Sequence, residues 1–533
     1  MPTGFPRQGV LPYLLLLLAL LAFHGRSLGN GFHYDDGHSL LRNPHLRSLQ
    51  ALPSFFTDAR TYSENPDYAM YRPMVLVAHA LNHRLGEYGP RGYLALNLAL
   101  HCLASLLVFR LLQQLGFSHR PALAGALLFG LHPAQTEVVN YVSSRSESMA
   151  GLFALASLSA FLQRNTRPWI FLSLLAFALG LLSKSTALVL PLLLLLHRAL
   201  FPGSRPWRDH LPYWGLAGLY VLVYLALSGE GIERASQVRD AASQLATQAK
   251  ALVHYLALTF MPVHLNIQQQ FFAADSPFSP VPLLAGVAVL SLGLVAWRQR
   301  AVAGLFALGW FLMCLLPTLV VPLNILVNDH RLYLALFGLA FAAAHWLEAA
   351  QRSWPVWVLS VVLGLLCFQR AGVWKDEISL WRDAARQAPL MAEAHYNLGY
   401  AHHLAGNLEQ AREAYERAVV LSPEYVRAQV NLGAIYRGEG ELGKAEVAFL
   451  RALAAEPDQV EALNNLGLVY AGKGRYAEAV DLYRRALAKA PEQADIWLNL
   501  GLACRDSGLR EQAVEALGRA IELDPSLRQR FAP

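Results

Sequence analysis

From position 389 onward the chain repeats itself every 34 residues, and few folds can satisfy such a period. Prolines stand at Pro389, Pro423, Pro457, Pro491 and Pro525, and Asn397-Leu398-Gly399 recurs as Asn431-Leu432-Gly433, Asn465-Leu466-Gly467 and Asn499-Leu500-Gly501. Ala411, Tyr415 and Ala418 recur as Ala445, Phe449 and Ala452, as Ala479, Tyr483 and Ala486, and as Ala513, Leu517 and Ala520. A unit of this length is a pair of helices that cannot bury its apolar face alone. Small residues mark where the two helices touch, an aromatic fills the gap to the next unit, and proline ends the second helix.

This is the tetratricopeptide pattern, and it predicts an α-helical solenoid of four full repeats over 390–533. A half-repeat over 371–389, with Trp381 and Ala384 in register, joins it to what precedes. Asn397, Asn431, Asn465 and Asn499 fall where the concave face should lie. They are candidates for hydrogen-bonding an extended peptide backbone, or are simply the usual residue at that repeat position.

Residues 1–370 read differently. The chain is 55% hydrophobic and only 15% charged, and its apolar excess is concentrated here. Apolar runs cover approximately Val10–Phe23, Gly92–Leu115, Ala122–Leu131, Ser148–Leu162, Trp169–Leu182, Ala187–Leu200, Tyr213–Leu227, Val281–Trp297, Ala301–Leu316, Leu332–Trp346 and Trp354–Phe368. Several fall short of the ~20 residues of a full span, so they must tilt, borrow flanking residues or pack inside a bundle. The fold class expected is all-α: a polytopic membrane bundle of about 11 spans, then the solenoid. The first run is short enough to be a cleaved signal peptide, but a clean small-x-small site is missing and a retained span is favoured.

The net charge of +6 comes largely from Arg in short loops, without the basic blocks and interleaved aromatics of a nucleic-acid binder. Arg7, then Arg110 and Arg120, Arg164 and Arg167, Arg198, Arg205 and Arg208, Arg298 and Arg300, and Arg352 occupy alternate connections, which are therefore cytoplasmic. The amino terminus is then cytoplasmic. The repeats emerge on the other side, together with Asp35, Asp36, His132, Glu137 and the segment 324–331. Gln244–Phe260, carrying Lys250 and His254, would break this alternation as a span and reads as an outward interfacial helix. Cys102, Cys314, Cys367 and Cys504 form neither a disulfide framework nor a metal spacing.

Chemistry-bearing residues collect on the outward side. Gly31-Phe32-His33-Tyr34-Asp35-Asp36-Gly37-His38 places two carboxylates side by side just after the first apolar run. Their mutual repulsion should raise one pKa and make it a base near neutral pH; the competing reading is a solvated helix cap. The long loop that follows carries Tyr71-Arg72-Pro73. His132-Pro133 ends the third apolar run, as a helix break or as a site, and Glu137 is free to act or to pair with Arg145. Lys184 interrupts apolar sequence at a depth where a charge costs ~2.5–3.5 kcal/mol, so it is functional by default, with snorkelling as the alternative. Arg331, in Asp329-His330-Arg331-Leu332-Tyr333, stands at the mouth of another span, with Asp329 as a possible partner. Cations at the outer face, opposite a carboxylate pair, suit a reaction whose leaving group is a lipid phosphate.

In this order Asp35-Asp36, Tyr71-Arg72-Pro73, His132-Pro133 with Glu137, Ser183-Lys184, Arg331-Leu332-Tyr333-Leu334 and the repeats resemble the transmembrane and tetratricopeptide repeat-containing O-mannosyltransferase family. The resemblance covers nearly the whole chain. It implies a C-type glycosyltransferase fold using a polyprenyl- or dolichyl-phosphate-linked sugar, with the base on Asp35 as first choice or on Asp36, and the donor phosphate on Lys184 and Arg331. Arg72, His132, Glu137 and Tyr333 rank behind them for orienting donor or acceptor. The acceptor is then a Ser or Thr hydroxyl of an extracytoplasmic protein recruited by the repeats, and no cofactor or metal is required. Ser185 stands where an acidic residue is expected, and four repeats are fewer than animal members carry. Compactness and richness in Arg, Ala and Leu point to a bacterial relative in an inner membrane; a eukaryotic source would place it in the endoplasmic reticulum. The rivals from other classes are a non-enzymatic membrane-anchored scaffold and a flippase of a lipid-linked sugar.

Overall fold

Each of the eleven apolar runs falls on a helix. The structure, a computed structural model, describes residues 9–163, 167–236, 239–274, 276, 279–299, 301–320, 325–350 and 354–530, and no strand occurs among them. Arg7, Arg164, Arg300, Asn324 and Arg352, which contributed to the loop argument above, lie outside the described residues. The chain divides into two compact units, Met1–Leu380 and Trp381–Pro533.

Among the described residues of the first unit, six helical stretches are long and apolar enough to cross a bilayer: Leu11–Gly29, Pro90–Gln114, Trp207–Leu227, Val302–Leu319, Asp329–Ala349 and Trp354–Val373. Arg167–Leu181, Ser185–Leu200 and Pro280–Val295 are shorter apolar helices. His119–Gly130 is shorter still. At 1.5 Å per residue it covers about 18 Å, well under a hydrocarbon thickness of about 30 Å, so it works as a core helix rather than a lipid-facing one. Residues 121–150 are all buried, which places this helix and the turns after it at the centre of the bundle. Close packing requires small residues there. A Cβ on Gly125 would meet the Ala340 carbonyl at 2.6 Å, and one on Gly338 the Ala307 carbonyl at 2.6 Å. Ala241–Phe260 is helical, capped by Asp240 through the N–H groups of Ala242 and Ser243, and is not among the six long apolar stretches.

The loop from 30 to 72 is a string of short turns rather than an extended strap. Asn43, Ser48, Asp58 and Asn65 each cap a short helical turn with a side-chain oxygen. Leu40, Leu46, Phe55 and Tyr62 from this loop pack with Leu76, Ala80, Tyr93, Leu94 and Val142 in a small core of their own. That core is what makes the loop a rigid platform for Asp35.

The second unit is a helical solenoid in which each repeat is a helix pair, the first being Ala392–Leu404 with Leu408–Leu421. The period has two local causes beyond the prolines. Gly406, Gly440, Gly474 and Gly508 turn the chain between the paired helices at φ of +77°, +80°, +74° and +83°, a region that costs any residue with a Cβ. Gly399, Gly433 and Gly467 lie against the rings of Tyr415, Phe449 and Tyr483, where a Cβ would come within 2.7, 2.7 and 2.6 Å.

Candidate functional site

Three backbone and side-chain constraints fold the Asp35-Asp36 loop. His33 O accepts the Asp36 N–H at 2.9 Å, closing a tight turn, and Tyr34 at its apex has φ +46°. A residue with a Cβ holds this conformation only where its surroundings over-determine it. Here Glu377, from the far end of the unit, accepts the Tyr34 N–H on Oε1 at 2.7 Å and stands 3.5 Å from His33 Nδ1. His33 Nε2 meets the Trp374 carbonyl at 2.7 Å, and Trp374 stacks on Tyr141, whose hydroxyl accepts the Asp35 N–H at 3.2 Å.

The two aspartates have unequal surroundings. Asp36 is fully buried; its Oδ1 accepts the Ser143 N–H at 2.8 Å and the Ser143 hydroxyl at 2.6 Å, and its Oδ2 accepts the His33 N–H at 3.0 Å. Burial pushes its pKa up to about 6, against the pull of those donors. The shift expected from repulsion between neighbouring carboxylates therefore has a different origin: loss of solvent is the larger effect. Asp35 keeps 45% of its side chain exposed, with His38 Nε2 3.4 Å from its Oδ1. Asp36 braces the loop, and Asp35 is the solvent-accessible carboxylate of the two.

Glu377→Ala should release Tyr34 from its strained turn. A hydrogen bond to a charged acceptor is worth about 1.5–3 kcal/mol, so amide hydrogen exchange at Tyr34 should quicken by about 10–100-fold, with Glu377→Gln, which still offers an oxygen, close to wild type. Equal exchange in all three proteins would show that Glu377 does not hold the turn.

A cation group lies beyond Tyr62. Arg72 donates to the Tyr62 hydroxyl at 3.3 Å and to Ser146 Oγ at 3.3 Å, with its guanidinium 5.4 Å from the Tyr62 ring centre. Tyr62 interacts electrostatically with Arg72, Asp35 and Asp36, and Lys184 with Glu147, Arg72 and Arg331. Lys184 finds its carboxylate in Glu147 at 2.5 Å, while position 185 is a serine. Arg331 does not pair with Asp329 as the local sequence proposed. It donates to the carbonyls of Leu326 at 2.8 Å and Ile325 at 2.7 Å, and Asp329 accepts from the Asn266 N–H at 2.9 Å and Gln269 Nε2 at 2.8 Å.

Glu137 and Arg145 do not pair with each other either. Glu137 meets His330 Nδ1 at 2.6 Å. Arg145, with no exposed surface, donates to Asn97, Asn82 and the Tyr93 carbonyl at 2.7, 2.8 and 2.9 Å, and packs its guanidinium 5.6 Å from the Tyr93 ring centre. His132 is buried, with Nε2 3.1 Å from the Thr259 carbonyl and Nδ1 accepting the Ala134 N–H, the arrangement of a helix cap. Tyr333 is buried in the core with its hydroxyl 3.2 Å from His101 Nδ1 and its ring against Gly151, so it does not reach the carboxylates.

The repeat asparagines have unlike partners. Nδ2 of Asn431 donates to the Tyr415 hydroxyl at 3.2 Å, that of Asn465 to the Glu461 carbonyl at 2.8 Å and that of Asn499 to Asn464 Oδ1 at 2.9 Å. Asn397 has its Nδ2 buried without a hydrogen-bond partner. Glu147, Tyr62, Ser146 and His330 were not singled out as site residues by sequence reasoning. Only Glu147 carried a usable signal, an acidic side chain at the start of an apolar helix. Among the described residues no cluster of three or more His, Cys, Asp or Glu side chains is set to hold a metal ion.

A family model described as dolichyl-phosphate-mannose-protein mannosyltransferase matches residues 71–228, and tetratricopeptide models match 392–425, 424–492 and 464–527. A protein O-mannosyl-transferase of Caenorhabditis elegans is 25% identical over 78% of this chain and 64% of its own length. Protein O-mannosyl-transferase TMTC4 of Homo sapiens is 26% identical over 72% of this chain and 62% of its own. The chain resembles the protein O-mannosyl-transferases. It spans somewhat less than two thirds of the length of these two relatives. Among solved structures, a crystal structure of the MamA protein matches at 26% identity and a TM-score of 0.26, covering 29% of this chain and 85% of that one. The mannosyltransferase model takes in Arg72, His132, Glu137, Glu147 and Lys184. Asp35, Asp36 and Arg331 lie outside it, so the case for them rests on geometry.

Proposed function

We propose that this chain is a membrane glycosyltransferase that moves a sugar, with mannose as the first candidate, from a polyprenyl- or dolichyl-phosphate donor to Ser or Thr hydroxyls of an extracytoplasmic protein. The observation that carries this reading is one sequence of charges: an exposed carboxylate at Asp35, then Tyr62 and Arg72, then Lys184 and Arg331. A base lies at one end and a cluster of cations at the other, as direct displacement requires.

Asp35 takes the proton of the acceptor hydroxyl as its oxygen forms a bond to the anomeric carbon. The bond from that carbon to the phosphate oxygen breaks with inversion, and the lipid phosphate leaves with the electron pair. Arg72, Lys184 and Arg331 stabilise the charge that develops on the phosphate, and partial burial strengthens their effect. Glu147 holds Lys184 charged and aimed until donor arrives. The repeats recruit the acceptor, and both they and the site face away from the cytoplasm, with the amino terminus on the cytoplasmic side.

The test is transfer by purified, detergent-solubilised protein from a panel of polyprenyl-phosphate sugars to Ser- and Thr-containing peptides. Lys184→Ala should cut kcat by about 10²–10³-fold, the usual loss for one charge-stabilising group, and weaken donor binding with acceptor KM little changed. Wild-type turnover in that variant would remove Lys184 from the phosphate site. Absence of transfer by the wild type from every donor, with peptides still bound by the repeats, would favour a membrane-anchored scaffold.

A further inference from the structure

His38 follows Asp35 by three residues, and the reaction scheme leaves it without a role. Its Nε2 lies 3.4 Å from Asp35 Oδ1 and its Nδ1 3.0 Å from Ser63 Oγ. Ser63 is buried and its Oγ accepts the Asn65 backbone N–H at 3.0 Å. The ring stacks on Tyr68 with centres 4.8 Å apart and planes at 29°, and the His38 carbonyl accepts the Glu64 N–H at 3.1 Å. Both ring nitrogens are therefore engaged and the ring plane is fixed.

A neutral imidazole has one donor and one acceptor nitrogen, and its partners decide which is which. A lone pair on Nε2 would face the lone pairs of the Asp35 carboxylate, so the proton belongs on Nε2. Nδ1 then accepts, and Ser63 has a hydroxyl hydrogen to give while its oxygen takes the Asn65 N–H. The donors run in one direction, from Asn65 through Ser63 and His38 to Asp35.

We propose that His38 is a positioning residue that holds Oδ1 of Asp35 and so aims the carboxylate at the acceptor hydroxyl. The proposal rests on the reading of Asp35 as the base. It also separates the two aspartates: Oδ1 and Oδ2 of Asp36 are both filled by Ser143 and His33 in a buried site, whereas Asp35, flanked by His38 and the Tyr141 hydroxyl, keeps an exposed side chain. The other titratable or charged groups around the pair are Asp36, Tyr34, Tyr141, Tyr62 with Arg72, Tyr68, and Glu64, which Arg42 holds at 2.7 Å.

The experiment measures transfer by the full-length wild type, His38→Ala, His38→Gln, Ser63→Ala and Asp35→Asn, using the donor and peptide on which the wild type is active and thermal unfolding as the control for folding. His38→Ala is expected to lose about tenfold or more in kcat with donor KM within about twofold. His38→Gln, which keeps an N–H donor, should recover most of the rate. Ser63→Ala should fall between, since the tautomer is no longer fixed. Wild-type kcat in His38→Ala, with Asp35→Asn inactive, would overturn the role of His38. So would equal losses in the Ala and Gln variants, which mark a packing role only. Activity in Asp35→Asn would instead overturn the assignment of the base itself.

Discussion

Asp35→Asn should lower transfer by about 10²–10⁴-fold, the usual contribution of a positioned general base, with little change in thermal unfolding. The carboxamide has the shape of the carboxylate and still offers Oδ1 to His38, so the loop should keep its conformation. What it lacks is the affinity for a proton that the acceptor hydroxyl must lose. The side chain is 45% exposed and the strained turn is held elsewhere, by Glu377 and Asp36, so little stability depends on its charge. Mass spectrometry of the acceptor peptide gives the rate and differential scanning fluorimetry gives the unfolding temperature. A variant that turns over at the wild-type rate would remove Asp35 from the chemistry. A scaffold would be indifferent to the change, and a flippase only modestly affected.

Asp36→Ala should act on stability instead, by about 3–5 kcal/mol. Three donors converge on this carboxylate in a pocket without solvent, the N–H groups of His33 and Ser143 and the Ser143 hydroxyl. Each buried donor left without an acceptor costs about 1–3 kcal/mol, and losses of this combined size are confined to such sites. The pH dependence has a definite sign. The folded pKa, about 6, lies above the ordinary aspartate value of 3.8. The stability linked to this group is therefore fully present below pH 3.8 and is lost as pH rises through about 6. That difference is worth ~3 kcal/mol. Unfolding of the wild type followed from pH 4 to 7 should show this slope, and Asp36→Asn should lack it. A wild-type slope in the variant would mean that another group titrates there, and an unfolding temperature unchanged in Asp36→Ala would mean that the pocket admits water.

The two substitutions differ although the residues are adjacent, and that difference was not legible in the sequence. Both aspartates follow the same apolar run. Only the arrival of Ser143, more than a hundred residues later, decides which one is dry. The same holds for the pairings that local spacing proposed. Glu137 with Arg145, and Asp329 with Arg331, are close in sequence, yet neither pair forms: Glu137, Arg145 and Asp329 turn to His330, to Asn97 and Asn82, and to Asn266 and Gln269 from other segments, and Arg331 to the neighbouring Leu326 and Ile325 carbonyls. His132 reads in the sequence equally as a helix break or a site, and Tyr333 enters only with the family resemblance; in the fold His132 makes a capping bond and Tyr333 packs in the core.

The amino-acid sequence by itself determined what depends on local regularities. A period of 34 residues with proline and glycine at set places leads to stacked helix pairs, and apolar runs of near-span length with few charges lead to a membrane helix bundle. Both follow from properties that neighbouring residues share along the chain: helix periodicity, backbone freedom and the cost of exposing apolar surface or burying charge. Only the tertiary structure decided which carboxylate stays wet, that Lys184 faces Glu147, that Glu377 holds the turn at Tyr34, and that a donor chain ends on Asp35. Each of these depends on groups brought together across tens to hundreds of residues, where burial and hydrogen-bond geometry outweigh anything that spacing along the chain can encode.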